Sequence, residues 1–141
     1  MMRRAWLGFA LWLSVSASSV PAAAEEAEVN AVLACRPEAA PGRVLCELTF
    51  TARSAARLAC ADALVTATPP FAKPLRARVT PERSLDAQAT ERKLSLAFVA
   101  TQSGVGRVTV RARAVVCRGQ GQTERCHPES HDVQAELRVG S

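Results

Sequence analysis

The chain has 141 residues, of which 48% are hydrophobic and only 4% aromatic, and its formal net charge is +5. This length suits one domain with a single core. Arginines alternate with acidic residues, and aromatic side chains that stack on bases are scarce, so we expect no nucleic-acid binding. No phosphate-binding loop, Ser-His-Asp arrangement or carboxylate pair is visible, and we expect no cofactor.

The first 24 residues resemble a targeting segment. They carry Arg3 and Arg4, then an apolar run, then the small residues Ala22–Ala24. This order is typical of a secretory signal peptide cleaved after Ala24. The run is too short and too rich in Ser for a comfortable membrane span of about 20 residues. Residues 25–141 are therefore predicted to form one domain without a membrane span, in the periplasm or secreted.

Short runs of alternating apolar and polar residues follow, separated by turns rich in Pro and Gly. Segment 69–74 contains three prolines and is predicted to be a rigid loop. The remaining pattern favours an all-β, immunoglobulin-like antiparallel β-sandwich of about seven strands. The predicted strands are 29–35, 44–51, 58–68, 75–79, 94–98, 107–117 and 132–139.

The last two predicted strands have the clearest faces. Successive side chains of a strand point to opposite sides of the sheet. The residues predicted to face the core are Val108, Val110, Ala112, Ala114, Val116, Val133, Ala135, Leu137 and Val139. The outer faces carry opposite charges, which we expect to pair across the ladder.

All the cysteines follow the predicted cleavage site: Cys35, Cys46, Cys60, Cys117 and Cys126. In an oxidising compartment disulfides are expected, and an odd number leaves one thiol over. Cys35 and Cys46 lie on the inward faces of two strands joined by a tight turn, which predicts a structural disulfide. Cys117 and Cys126 flank a Gly-containing loop and form a second hairpin pair. Cys60 remains as a half-buried free thiol.

Two other uses of these cysteines remain open. An inter-sheet disulfide between Cys46 and Cys117 has the separation typical of immunoglobulin domains, although no Trp follows Cys46 and Cys117 is in phase with outward-facing arginines. A zinc site is the other, formed by Cys117, Cys126, His127 and His131. Its cysteine spacing differs from that of zinc fingers and its histidines open a strand, so surface histidines are the default interpretation.

The hairpin resembles a known family. A strand ending at Cys117, a short Gly-containing loop and then Cys126-His127-Pro128-Glu129 are similar to the N-terminal, immunoglobulin-like periplasmic domain of the DsbD family of thiol:disulfide interchange proteins. Similar segments are found at 61–63 and 93–96, and the resemblance spans about 58–139. The loop is longer than the usual one of the family, and His127 replaces an aromatic residue.

The resemblance implies a redox-active pair, Cys117 and Cys126, that passes reducing equivalents to other exported proteins. A partner thiolate attacks one sulfur, a mixed disulfide forms, and the second cysteine resolves it. Cys126 is the expected reactive sulfur, and Cys117 the resolving one. Arg125 and protonated His127 are expected to favour the Cys126 thiolate. Thioredoxin-like or other exported redox proteins are the expected partners.

A second hypothesis stands beside thiol–disulfide exchange. The same pattern fits a non-catalytic, exported β-sandwich that binds or scaffolds another protein, with purely structural disulfides.

Overall fold

A computed structural model describes residues 26–81, 86 and 88–140. The predicted signal peptide lies outside this part of the chain. The described residues form two antiparallel sheets packed as a sandwich, which confirms the predicted fold class. Their helical content is one 3-10 turn, Gly121–Thr123. No helix among them has the length and apolar character that a membrane span requires.

The described residues contain eight strands, and each sheet has four of them. The strands are β1 (Val29–Cys35), β2 (Gly42–Ala52), β3 (Ala56–Ala67), β4 (Ala72–Pro74), β5 (Arg78–Val79), β6 (Glu91–Ala100), β7 (Gly104–Arg118) and β8 (Arg125–Val139). The first sheet has the order β1-β2-β6-β4 and the second sheet β5-β3-β7-β8.

The core lies between the two sheets and follows the alternation of the sequence. Val108, Val110 and Val116 are fully buried, and Ala112 and Ala114 nearly so, which confirms the inward face predicted for β7. On β8 the terminal residues of the predicted face are buried, and the earlier two are partly buried against the same core. Phe50 and Phe98 are the largest side chains of this core.

Strand β3 changes phase because its pairing with β7 is irregular. The register shifts between Leu58 and Cys60, so Leu58, Ala61 and Ala63 can all point inward. A β-bulge of this kind moves the following side chains to the other face of a strand. Asp62 consequently lies on the outer face of the second sheet, where its charge reaches neighbouring arginines.

The Pro-rich region differs from its prediction. Segment 69–74 was expected to be a loop throughout, but it ends in β4, which pairs with β6. Pro74 closes this short edge strand, a position where a missing N–H is tolerated. The strand expected at 75–79 is reduced to β5, because residues 75–77 cross from the first sheet to the second. At the other end β8 begins at Arg125, seven residues before the expected start at Asp132.

Candidate functional site

The structure contains two disulfides, and each joins residues that face each other directly across two neighbouring strands. Cys35 is bonded to Cys46 between β1 and β2, with a Cα–Cα distance of 4.0 Å. Cys117 is bonded to Cys126 between β7 and β8, with a Cα–Cα distance of 4.1 Å. The alternative inter-sheet bond from Cys46 to Cys117 is therefore absent.

The two cysteines of the Cys117–Cys126 disulfide differ in environment: Cys117 is buried, and Cys126 lies beside a carboxylate. Cys117 is 1% exposed, whereas Cys126 is exposed. Sγ of Cys126 lies 3.3 Å from Oε1 of Glu124, and the same carboxylate forms an ion pair with Arg57. Because Arg57 neutralises this carboxylate, the contact places no net negative charge at Cys126. Cys126 is therefore the solvent-facing end of this disulfide, and Cys117 is the buried end.

The two residues expected to favour a Cys126 thiolate make other contacts. Nη1 of Arg125 donates to the carbonyl oxygens of Gln122 and Glu124, at 3.3 and 2.9 Å. Nε2 of His127 lies 3.2 Å from Oε2 of Glu129. These contacts give no support to a tuning role, and the catalytic roles of Cys117 and Cys126 stay predictions.

In the alternative zinc site, the two cysteines and the two histidines lie on opposite faces of the second sheet. Both cysteine sulfurs are in a disulfide bond, so neither is a thiolate ligand. His127 and His131 lie opposite the buried residues Val116 and Ala112, which places them on the inner face of β8, whereas Cys126 is one residue out of phase. The histidines instead flank a carboxylate.

That carboxylate belongs to Glu129 and joins the two sheets. Its side chain is 11% exposed, and its oxygens accept hydrogen bonds from the backbone N–H of Glu28 at 3.0 and 3.1 Å. The N–H of Val29, at the start of β1, is 3.4 Å away, and Nε2 of His131 is at 3.1 Å. A nearly buried carboxylate needs several donors to offset lost hydration. Glu129 therefore fixes the start of β1 onto β8.

Glu28 strengthens the same junction through its side chain. Nε of Arg118 donates to Oε2 of Glu28 at 2.8 Å. This hydrogen bond lowers the pKa of Glu28, against a smaller opposing effect of burial. The start of β1 is thus held by two acidic residues, one on each side of the sheet boundary.

A second charged cluster lies on the outer face of the second sheet. Asp62, whose side chain is 14% exposed, accepts from Nε of Arg113 at 2.7 Å and from Nη2 of Arg78 at 2.7 Å. The hydrogen bond from Arg113 lowers the pKa of Asp62 most, burial raises it, and Arg78 lowers it further. Arg78 belongs to β5, so the cluster attaches this short strand to β3. The charge pairing expected between β7 and β8 is present too, since Arg111 Nε donates to Asp132 Oδ1 at 2.9 Å.

Cys60 is the free cysteine of the described chain and is exposed beside this cluster. The expectation of a half-buried thiol is wrong, because the bulge after Leu58 turns Cys60 to the outer face. It borders a groove of about 600 Å³ that also contacts Arg113 and Pro128.

A further groove, of about 680 Å³, lies along the open edge of β6. Its lining residues are Arg43, Leu75, Arg76, Val79, Thr80, Arg92, Lys93, Leu94, Ser95 and Ala97, with no acidic residue among them. Leu75 is 56% exposed.

Sequence reasoning missed Glu124, Glu129 and the edge of β6. One signal for Glu129 was present, since His127, Glu129 and His131 continue the inward phase of Val133 toward the start of β8. Glu124 gave none, because its contact with Cys126 depends on how the loop closes. The open edge depends on which strands become neighbours, which single-strand patterns do not specify.

Comparisons with known proteins correct the family resemblance. No protein-family model and no curated protein matches the chain. Among solved structures, the chain is similar to the crystal structure of BslA, a bacterial hydrophobin, with a TM-score of 0.33 and 10% sequence identity over 79% of this chain and 95% of BslA. These findings contradict the resemblance to the DsbD family, and the two cysteines of the hairpin that carried it are bonded to each other across β7 and β8.

Proposed function

We propose that this protein is a non-catalytic, exported β-sandwich that binds or scaffolds another protein, and that both of its disulfides are structural. The observation that carries the proposal is the environment of Cys117–Cys126. One sulfur belongs to a buried residue, and the two cysteines lie directly opposite each other within the continuous pairing of β7 with β8. Disulfides between cysteines of neighbouring strands suit a secreted domain, which folds in an oxidising compartment.

Export is part of the proposal. Two disulfides in a chain of this size fit an oxidising compartment, because cytosolic thiols are kept reduced. The predicted signal peptide supports the same localisation, in the periplasm or outside the cell.

A redox titration tests the proposal against thiol–disulfide exchange. The chain without residues 1–24 is equilibrated in glutathione buffers, and the state of each pair is followed by thiol alkylation and mass spectrometry. We expect Cys117–Cys126 to stay oxidised at about −300 mV. The Cys35→Ala/Cys46→Ala variant serves as a control that leaves one pair to report. Half-reduction of Cys117–Cys126 near about −200 mV would instead support a catalytic pair and exported redox partners.

A further inference from the structure

Strand β6 is paired along the whole of one side but along only part of the other. Along one side β6 pairs with β2 over its whole length, from Glu91 to Ala100. On the other side β4 pairs with residues 98–100 alone. The chain then leaves the first sheet toward β5, so residues 91–96 have no strand neighbour on this side among the described residues.

The backbone groups of this edge point outward in a known pattern. The N–H of Leu75 donates to the carbonyl oxygen of Ala97 at 2.9 Å, so the polar groups of Ala97 face away from β2. In a strand, every second residue directs its N–H and C=O to the same side. Lys93 and Ser95 therefore direct to the edge backbone donors and acceptors that no described residue uses, and their side chains are exposed on the outer face of the sheet.

The groove beside this edge is cationic. Arg43 and Arg76 are exposed and make no ion pair with any described residue, and Lys93 reaches Glu47 only at 3.6 Å. Its apolar lining comes from Leu75 and Val79, which lie across the groove from β6, and from Leu94 and Ala97 of β6 itself. An added strand would place alternate side chains toward these cations and the intervening ones toward the apolar contacts.

We propose that the open edge of β6 docks an extended acidic segment of a partner protein, which adds to the first sheet as a further strand. Main-chain hydrogen bonds to Lys93 and Ser95 provide the attachment, and the basic groove selects acidic residues. A second copy of this chain fits poorly, because pairing β6 with β6 would bring two sets of Arg43, Arg76 and Lys93 together. Lysine on an edge strand is a common device against such pairing. The inference rests on the proposed binding function and specifies its site.

The test uses the chain without residues 1–24 and capped hexapeptides in which acidic residues (Glu or Asp) alternate with Val, Thr or Ile. Binding is followed by amide chemical shifts and hydrogen exchange. We expect the peptides to bind and to slow exchange at the amides of Lys93 and Ser95. A peptide of alternating Lys and Val, and one N-methylated on the pairing residues, should not bind. The proposal is overturned if the Lys peptide binds equally well, or if no acidic peptide binds at about 1 mM. It is also overturned if the amides protected from exchange lie outside β6, or if the protein self-associates through β6.

Two variants locate the site. Ser95→Pro removes an N–H that no described residue uses and blocks strand addition, so binding should be lost while the thermal unfolding curve stays close to that of the parent protein. Arg43→Glu/Arg76→Glu should weaken binding by about tenfold or more. The control Arg36→Glu/Arg107→Glu makes the same change in net charge away from the groove and should leave affinity unchanged. Equal weakening by both pairs of substitutions overturns a groove-specific site.

The outcome separates this inference from the proposed function. If no acidic peptide binds but Cys117–Cys126 stays oxidised at about −300 mV, the proposed non-catalytic function stands and only the docking site on β6 is rejected. An exchangeable Cys117–Cys126 pair contradicts the proposed function whatever the peptides do.

Discussion

The two lateral sides of the sandwich are built differently. On one side the edge strands β1 and β8 approach each other, and Glu129 and Glu28 join the start of β1 to the second sheet. The backbone of Glu38 continues this closure through hydrogen bonds with Arg138 and Gly140, at 3.0 and 2.8 Å. Both disulfides fasten strands of this closed side. On the open side β4 and β5 are short, and most of the β6 edge has no neighbour among the described residues.

We infer that the two sides serve different purposes, since the closed side stabilises the domain and the open side leaves a strand edge accessible. The disulfides and the contacts of Glu28 and Glu129 add links between strands to the stability that the core provides. Concentrating them on the closed side leaves the open edge able to accept another strand. Exposed edges are otherwise avoided because they pair indiscriminately, and the cations along β6 limit that pairing.

Removing a disulfide should have the largest effect on the closed side. Cys117→Ala/Cys126→Ala opens a loop with a sequence separation of 9, which the chain-entropy model values at about 2.7 kcal/mol. Cys35→Ala/Cys46→Ala, with a separation of 11, should cost a similar amount. Urea unfolding followed by circular dichroism measures both. A loss below about 0.5 kcal/mol for either pair would show that the disulfides do not hold the closed side.

Neutralising Glu129 should be the next most damaging change. Glu129→Gln keeps the shape of the side chain but replaces an acceptor of charge-assisted hydrogen bonds and adds an unmatched donor, which should cost about 2 kcal/mol. Glu136→Gln removes an exposed pair with Arg138 on the same strand and should change stability by less than about 0.5 kcal/mol. Similar losses for the two variants would argue against a junction at Glu129.

Asp62 should matter less, and its effect should depend on pH. Asp62→Asn weakens the attachment of β5 on the open side and should cost about 1–2 kcal/mol near pH 7. The folded pKa of Asp62 is lowered by Arg113 and Arg78, so its stabilisation is present above the unfolded pKa of about 3.9 and disappears as pH falls through the lower folded pKa. In acid unfolding, the stabilities of the two proteins should therefore begin to approach each other near about pH 4 and converge only once the pH lies below the lowered folded pKa of Asp62. A pH-independent difference would contradict the ion-pair account.

Cys60 should give the smallest effect. Because the thiol is exposed and free, a maleimide reagent should modify the native protein once, at Cys60. Cys60→Ser should remove this reaction and change stability by less than about 0.5 kcal/mol. Resistance of the native protein to the reagent, with labelling only after unfolding, would contradict the exposed position.

Much of the fold was predictable because period-2 alternation is a local property. The inward phase of Val108 to Val116 follows from burial of one face of a strand. The same reasoning missed β4 and placed the start of β8 too late, because Pro74 and Pro128 lie in these strands and proline normally indicates a loop. It also missed the bulge after Leu58, since the register of β3 is set by its pairing with β7.

The same distinction between local sequence patterns and long-range contacts applies to the candidate site. The sequence by itself determined the all-β class, the inward faces of the last two strands and the positions of the cysteines, because these depend on residue type and local spacing. Only the tertiary structure decided that Glu124 lies beside Cys126, that Glu129 joins two sheets and that β6 keeps an open edge. The inward phase of Glu129 is a local signal, but each of these contacts depends on residues distant in sequence or on loop closure, which local spacing does not specify.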